Sequence, residues 1–302
     1  MRSAIEAESL WKIYSRGRRP VEALRGITFN IESGSITALL GRNGAGKTTF
    51  LRIAATQLLP TRGTVRVLGH DVVDEVWRVR ELIAMVPQDA RPLGFPSPRE
   101  YVKAVQVMRG ESFAEAEKRA REVLEEMEVP RSLWNRSIWS LSGGMIRRVL
   151  LAAVLASDAP VLFLDEPSVG LDPLSRRRLW SKITKLKEGG RTVVLTTHYV
   201  EEAEALSDKV VMIHKGSLLA EGRPLDLVSS LGRKYKVEVR SKCDVEALKS
   251  WGEVLGSEPP IVVYVNGAAD AAELVEELSS RGCAASMSPV TLEDFFLLST
   301  RS

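Results

Sequence analysis

Gly41-Arg42-Asn43-Gly44-Ala45-Gly46-Lys47-Thr48 satisfies G-x-x-x-x-G-K-[ST] at every fixed position. Glycines at this spacing let the backbone close around phosphate oxygens and turn successive N–H groups into one anion-binding nest. Lys47 can then reach β- and γ-phosphates, and the Thr48 hydroxyl can ligate Mg²⁺. A helix opening at this point adds positive potential from its N-terminus. Asp165-Glu166 follows the unbroken apolar run Val161–Leu164. Adjacent carboxylates at the end of a buried strand are poor structural filler, because charge is costly to bury. They suit magnesium chemistry: Asp165 to hold the ion through its water shell, and Glu166 to orient and polarise an attacking water.

Three further features lie at the ends of predicted buried segments. Gln88 follows the apolar stretch Ile83–Val86 and can bind Mg²⁺ or an attacking water, although a surface-loop glutamine would look the same. His198 follows Val193–Thr197, where a neutral imidazole could hydrogen-bond a γ-phosphate and sense its loss. His70 and His214 read as turn residues. Ser142 can cap a helix starting near Gly144. The pair Gly143-Gly144 carries a conformational cost that capping alone does not require, which favours contact with an anion.

These groups need a scaffold that brings strand ends together. Ile36–Leu40 reads as the buried strand before the phosphate loop, and 49–59 as the helix after it, ended by Pro60. Residues 4–32 read as β-rich around the basic loop Arg16-Gly17-Arg18-Arg19-Pro20, and 63–68 alternate as a further strand. Tyr14, just before that loop, can stack on a flat ring or fill a core. Residues 97–157 form a helical insertion: Ser97-Pro98 opens one helix, a charged helix spans 112–127, and Trp134 and Trp139 near its end either pack the insertion, the favoured reading, or form part of a partner-facing groove. The run Arg176-Arg177-Arg178 reads as a solvated helix face. Residues 209–220 read as a hairpin turning at Lys215-Gly216. After Leu231-Gly232 a fresh pattern begins: strands over 234–239 and 261–265, a helix over 268–280, and a short helix over 289–296 docked by Phe295 and Phe296.

The length of 302 residues suggests about two domains. No run approaches the ~18 apolar residues of a membrane span, and no signal-peptide pattern opens the chain. A net charge of +3 gives little support to nucleic-acid binding. Cys243 and Cys283 form no C-x-x-C and read as reduced thiols of a cytosolic protein.

Taken together, the motifs resemble the nucleotide-binding subunit of an ATP-binding cassette (ABC) transporter over roughly residues 5–230. GRNGAGKT matches the family's phosphate loop, LSGGM its signature, VLFLDEP its magnesium strand, SVGLDP the following loop, and TTHYVEEAEALSDKV its switch region. The resemblance implies an α/β P-loop NTPase core with an antiparallel β subdomain and a helical insertion, occupying residues 1–231, with a small C-terminal α/β domain at 232–302. It implies ATP and Mg²⁺ as ligands. Tyr14, Gly41, Asn43, Gly44, Ala45, Gly46, Lys47, Thr48 and Thr49 would form one half of the ATP site. Ser142, Gly143 and Gly144 would form the other half, supplied by a second copy packed head to tail, with Asp172 lining the interface. Thr48, Gln88 and Asp165 would surround the metal, and Glu166, His198 and Gln88 would serve catalysis.

The implied partners are integral membrane permease subunits and an identical or similar cassette, at the cytoplasmic face of the cell membrane, with no nucleic acid. The alternative within the same fold is a soluble cassette ATPase acting on ribosomes or nucleic acid. Two departures from the common pattern are visible. Met145 stands where glutamine usually ends the signature, and with the tail TLEDFF it resembles the drug-exporter branch. Arg42 stands where proline is usual, at an unconstrained loop position.

Overall fold

The computed structural model describes residues 3–15, 20–92, 97–242 and 244–300. The basic stretch Arg16–Arg19 lies outside them. The chain divides into two compact units, Met1–Ala220 and Glu221–Ser302.

The first unit begins with β1 (Ser3–Tyr14), β2 (Val21–Glu32), β3 (Ile36–Leu40), α1 (Lys47–Ala54), β4 (Arg62–Val67) and β5 (His70–Asp71). It continues through α2 (Val76–Leu82), β6 (Ile83–Val86), α3 (Pro98–Met108), α4 (Phe113–Glu126) and α5 (Gly143–Leu155). Then come β7 (Val161–Asp165), α6 (Pro173–Glu188), β8 (Thr192–Thr197), α7 (Val200–Leu206), β9 (Lys209–His214) and β10 (Ser217–Gly222), whose last two residues fall past the unit boundary.

Among the described residues one sheet runs β2-β1-β4-β5 and is antiparallel, and a second runs β10-β9-β3-β8-β7-β6. In the second sheet β9, β3, β8, β7 and β6 are parallel neighbours. Every residue of β3, β7 and β8 is buried, as expected of mainly apolar central strands covered on both faces. β9 and β10 meet at Lys215-Gly216, where both φ angles are positive (48° and 83°), as a two-residue hairpin turn requires.

One hydrophobic core joins the two sheets through α1. Phe50, Leu51 and Ile53 of that helix sit among Ile5, Leu10, Ile27 and Val65 on one side and Leu39, Phe163 and Val194 on the other. The Phe29 and Phe50 rings lie 4.8 Å apart. Burying one such side chain is worth about 1.5–3 kcal/mol, so this core fixes α1 and the loop before it.

α3, α4 and α5 pack on one another as a helical layer. A capping box starts α4: the Glu115 N–H donates to Ser112 Oγ, and the Ser112 N–H donates to Glu115, both at 3.3 Å. The helix buries Ala116, Ala120, Val123 and Leu124, one apolar stripe at helical spacing. Trp134 is buried with them, as the packing reading has it, but Trp139 is 56% exposed, which excludes the favoured core role for it. Among the described residues no helix is long and apolar enough to cross a membrane.

The second unit holds α8 (Pro224–Ser230), β11 (Tyr235–Val239), α9 (Val245–Leu248), β12 (Glu253–Leu255), β13 (Ile261–Val265), α10 (Ala268–Ser280), β14 (Ala285–Pro289) and α11 (Leu292–Ser299). The sheet order β12-β13-β11-β14, with helices between its strands, is the split βαβ arrangement. Val237, Val239, Ile261, Val263 and Val265 pack with Leu274 and Leu278 of α10. Asp294 of α11 accepts from Lys236 Nζ at 2.8 Å and from the Tyr264 hydroxyl at 3.0 Å.

Sequence patterning missed β12, α9 and β14. β14 reads Ala-Ser-Met-Ser-Pro and is mostly exposed, so it has no apolar alternation to detect. Pro289 ends that strand rather than opening a helix, and Leu292 and Asp294 are the buried residues of α11 while Phe295 and Phe296 are half-buried. The helix after the phosphate loop is shorter than expected, ending at Ala54 with Thr56 at positive φ (60°). Cys283 is disulfide-bonded, not a reduced thiol, which the lack of a C-x-x-C spacing does not exclude. Cys243 lies outside the described residues.

Candidate functional site

The parallel register brings the strand ends together. Leu40 pairs with Thr197, Asp165 with Thr196, and Val86 with Leu164, so Gly41, Gln88, Glu166 and His198 emerge along one edge of the sheet. A cavity there is lined by Tyr14, Asn43, Gly44, Ala45, Gly46, Lys47, Thr48, Thr49, Gln88 and Glu166.

The phosphate loop ends at Gly46, which caps α1 at φ 113°. A Cβ there would stand 2.5 Å from the Ala23 carbonyl oxygen, so backbone conformation and space both require glycine. No side chain caps α1, which leaves its first N–H groups to an anion in the cavity. Lys47 is buried, and its Nζ donates to the carbonyl oxygens of Gly41 (2.7 Å) and Arg42 (3.3 Å). Burial pulls the Lys47 ammonium below its ordinary pKa, while Glu166 and Asp165 pull it back up. The Tyr14 hydroxyl lies 3.5 Å from Thr49 Oγ1 at the rim.

Asp165 is fully buried. Its Oδ1 accepts from Thr196 Oγ1 at 2.6 Å and from Thr48 Oγ1 at 3.0 Å, while its Oδ2 has no partner. A carboxylate with one oxygen held and the other buried and unpaired is suited to a cation beside the Thr48 hydroxyl. Glu166 takes φ 48°, a left-handed conformation that costs a non-glycine residue about 1–3 kcal/mol. It is held from both ends of its backbone: its N–H donates to Thr196 Oγ1 at 2.9 Å, and its carbonyl accepts from Arg147 at 3.0 Å. Its side chain is 7% exposed and meets Gln88 Nε2 at 3.2 Å and His198 Nδ1 at 3.3 Å, both at Oε2. The His198 ring lies 4.1 Å from that of Tyr199.

Ser142 caps α5, its hydroxyl accepting from the Met145 N–H at 3.4 Å. Neither Ser142 nor Gly144 lines the phosphate-loop cavity, and Gly143 borders a neighbouring one with Gln88, Trp139, Arg147 and Glu166. After β7, Asp172 caps α6 by accepting from the Ser175 N–H at 3.0 Å. Hydrogen bonds from the Ser175 hydroxyl and N–H hold the Asp172 carboxyl down at about 2. The buried Glu202 of α7 accepts from Trp180 Nε1 at 3.0 Å and also bonds the Ser168 hydroxyl, tying the loop after β7 to the segment that follows His198.

Residues 24–169 match the family model described as ABC transporter. The chain is 38% identical to the daunorubicin/doxorubicin resistance ATP-binding protein DrrA of Streptomyces peucetius, over 82% of this chain and 74% of that one. The chain belongs to the ABC transporter family. It is also 36% identical to ATP-binding cassette sub-family A member 9 of Mus musculus, matching 82% of this chain but only 16% of that protein. Among solved structures it resembles a dimeric post-hydrolysis state of the ATP-binding cassette MJ0796 bound to ADP and Pi. That match has a TM-score of 0.67 at 28% identity and covers 72% of this chain and 98% of the other.

Two residues of this ABC ATPase fold hold the candidate groups yet drew no attention in the sequence. Thr196 looks like ordinary β-branched strand filler, but its hydroxyl bridges Asp165 and Glu166. Arg147 looks like a solvated helix charge, but it is 8% exposed and donates to backbone carbonyls of both neighbouring loops. A hydroxyl near the end of a buried strand, close to the candidate His198, is the signal that could have flagged Thr196. For Arg147 the helical period places it on the same face as Leu150 and Leu151, which is a weak signal. Among the described residues there is no cluster of three or more His, Cys, Asp or Glu that could hold a metal. The unpaired Oδ2 of Asp165 beside the Thr48 hydroxyl fits magnesium completed by nucleotide phosphates, the way a hard, hydrated ion is usually bound.

Proposed function

We propose that the chain is the ATP-hydrolysing subunit of an ABC exporter. The observation that carries this reading is the buried Asp165-Glu166 pair, of which Glu166 lines the phosphate-loop cavity, with Asp165 Oδ2 unpaired and Glu166 fixed by its backbone. The α1 N-terminus and Lys47 hold the phosphates, exchanging the loop carbonyls that Lys47 now contacts for phosphate oxygens. Asp165 and Thr48 would hold Mg²⁺, which supplies charge neutralisation at the β- and γ-phosphates when bound. Glu166 orients a water and accepts its proton, with Gln88 and His198 aligning the carboxylate through Oε2. Tyr14 stands at the rim to take the adenine face.

A head-to-tail pair of cassettes completes the site. Ser142 and Gly144 stand outside their own chain's cavity, which supports their use in closing a partner's ATP. Membrane permease subunits are the second partner, met through residues 97–157, whose helical layer exposes Met108, Phe113 and Trp139. The subunit then works peripherally at the cytoplasmic face. Met145 and the 38% identity to a drug-resistance ATP-binding protein favour drug export as the branch. Residues 232–302 carry none of these groups and serve as an accessory domain that regulates or supports dimerisation.

Glu166→Gln tests the reading. Glutamine keeps size and hydrogen bonding but cannot act as a base, so Mg-ATP binding should persist while turnover falls about 100-fold or more. The slowed protein should form an ATP-dependent dimer in gel filtration with light scattering, because ATP binds the closed pair better than the separate chains. Turnover equal to wild type would remove Glu166 from the base role.

A further inference from the structure

Arg147 lies one turn into α5, the helix that Ser142 caps. One nitrogen of its guanidinium donates to the Pro87 carbonyl at 2.8 Å and the Gln88 carbonyl at 3.4 Å. The other donates to the Asp165 carbonyl at 2.6 Å and the Glu166 carbonyl at 3.0 Å. A single planar fork thus spans the loops after β6 and β7. All four partners are backbone oxygens, so the side chain fixes main-chain positions.

Two consequences follow for the neighbouring groups. Glu166 is held at φ 48°, and its carbonyl bond to Arg147 opposes relaxation to an ordinary conformation. Gln88 is held through its own carbonyl while its amide meets the Glu166 carboxylate. The relative placement of these two side chains is therefore set by one residue on the signature helix.

We propose that Arg147 is a positioning residue that ties the signature helix to Gln88 and Glu166 of the same chain, so that a movement of the signature turn shifts the general base. This rests on the proposed ATPase function. Lysine at this position, a point charge with no planar fork, could not hold both loops at once, and methionine could hold neither.

The test uses the full chain as wild type, Arg147→Met and Arg147→Lys. Misplacing a reacting group by about 1 Å costs roughly 100-fold. Arg147→Met should therefore lower kcat about 100-fold and Arg147→Lys about 10-fold, with Mg-ATP affinity within about threefold of wild type. Added ethylguanidinium should restore part of the Arg147→Met turnover, since the Arg147 position borders an open cavity. Hydrogen exchange without nucleotide supplies a readout independent of hydrolysis. Amides 88–90 in one loop, and 165, 166, 168 and 169 in the other, should gain exchange together in both variants. Wild-type kcat in Arg147→Met, or equal loss of affinity and turnover without rescue, would overturn the proposal. Exchange gained at one loop only, or at neither, would overturn it as well. Absence of hydrolysis in the wild type would instead count against the ATPase reading, and the exchange result would still decide the role of Arg147. Should Arg147→Met fail to fold, Arg147→Lys decides by the same criteria.

Discussion

Thr196→Val removes one hydroxyl and almost no volume. That hydroxyl donates to Asp165 Oδ1 at 2.6 Å and accepts from the Glu166 N–H at 2.9 Å. Asp165 keeps the Thr48 hydroxyl at 3.0 Å, so the loss there is the lower figure for a bond to a charged group, about 1.5 kcal/mol. The Glu166 N–H lies in a buried segment and is left unpaired, which costs about 1–3 kcal/mol more. Thr196→Val should therefore destabilise the Met1–Ala220 unit by about 2.5–4.5 kcal/mol. For a unit of this size that lowers its melting midpoint by roughly 5–18 °C. Trp11, Trp77, Trp134, Trp139 and Trp180 lie in this unit and only Trp251 outside it, so tryptophan fluorescence on heating follows the relevant transition. Thr196→Ser keeps the hydroxyl and should recover most of the loss. A midpoint within about 2 °C of wild type for Thr196→Val would refute the argument that this hydroxyl holds the strand end that carries Asp165 and Glu166.

Gly46→Ala combines φ 113° with a Cβ 2.5 Å from the Ala23 carbonyl and should cost more than about 2 kcal/mol, whereas Gly44→Ala, with open space around it at φ 80°, should cost only about 1–2 kcal/mol. Equal denaturation midpoints for the two would contradict the steric account. Asp172 has a folded pKa of about 2, below the ordinary 3.8, so the unfolded chain binds the proton more readily. The contribution is thus complete above about pH 4 and lost as pH falls through about 2. Parallel acid titrations should show wild type and Asp172→Asn converging over that window, and a constant gap would exclude the linkage. In the C-terminal unit, Asp294→Ala strands the Lys236 ammonium and should cost about 3–5 kcal/mol there. Hydrogen exchange should rise in β11, β13 and α11, and loss of Mg-ATP binding in the folded variant would argue against an accessory role.

The sequence by itself determined the chemistry-bearing stretches and the elements that carry them. Phosphate loop, carboxylate pair and helix caps are local patterns: a glycine's φ, a cap's hydrogen bond and an apolar run are decided within a few residues. It also determined the family, because Gly41–Thr48, Leu141–Met145 and Asp165-Glu166 occur in order on one chain. Tertiary structure decided which strand lies beside which. The order β3-β8-β7-β6 places Leu40, Thr197, Leu164 and Val86 along one edge, and only that register brings Gln88 and His198 onto the same oxygen of Glu166. It also decided that Thr196 and Arg147 hold the site, since a hydroxyl or guanidinium acquires its role from partners distant in sequence. In the C-terminal unit the exposed edge strand β14 had no apolar period to reveal it, and its place follows from pairing with β11, a non-local contact.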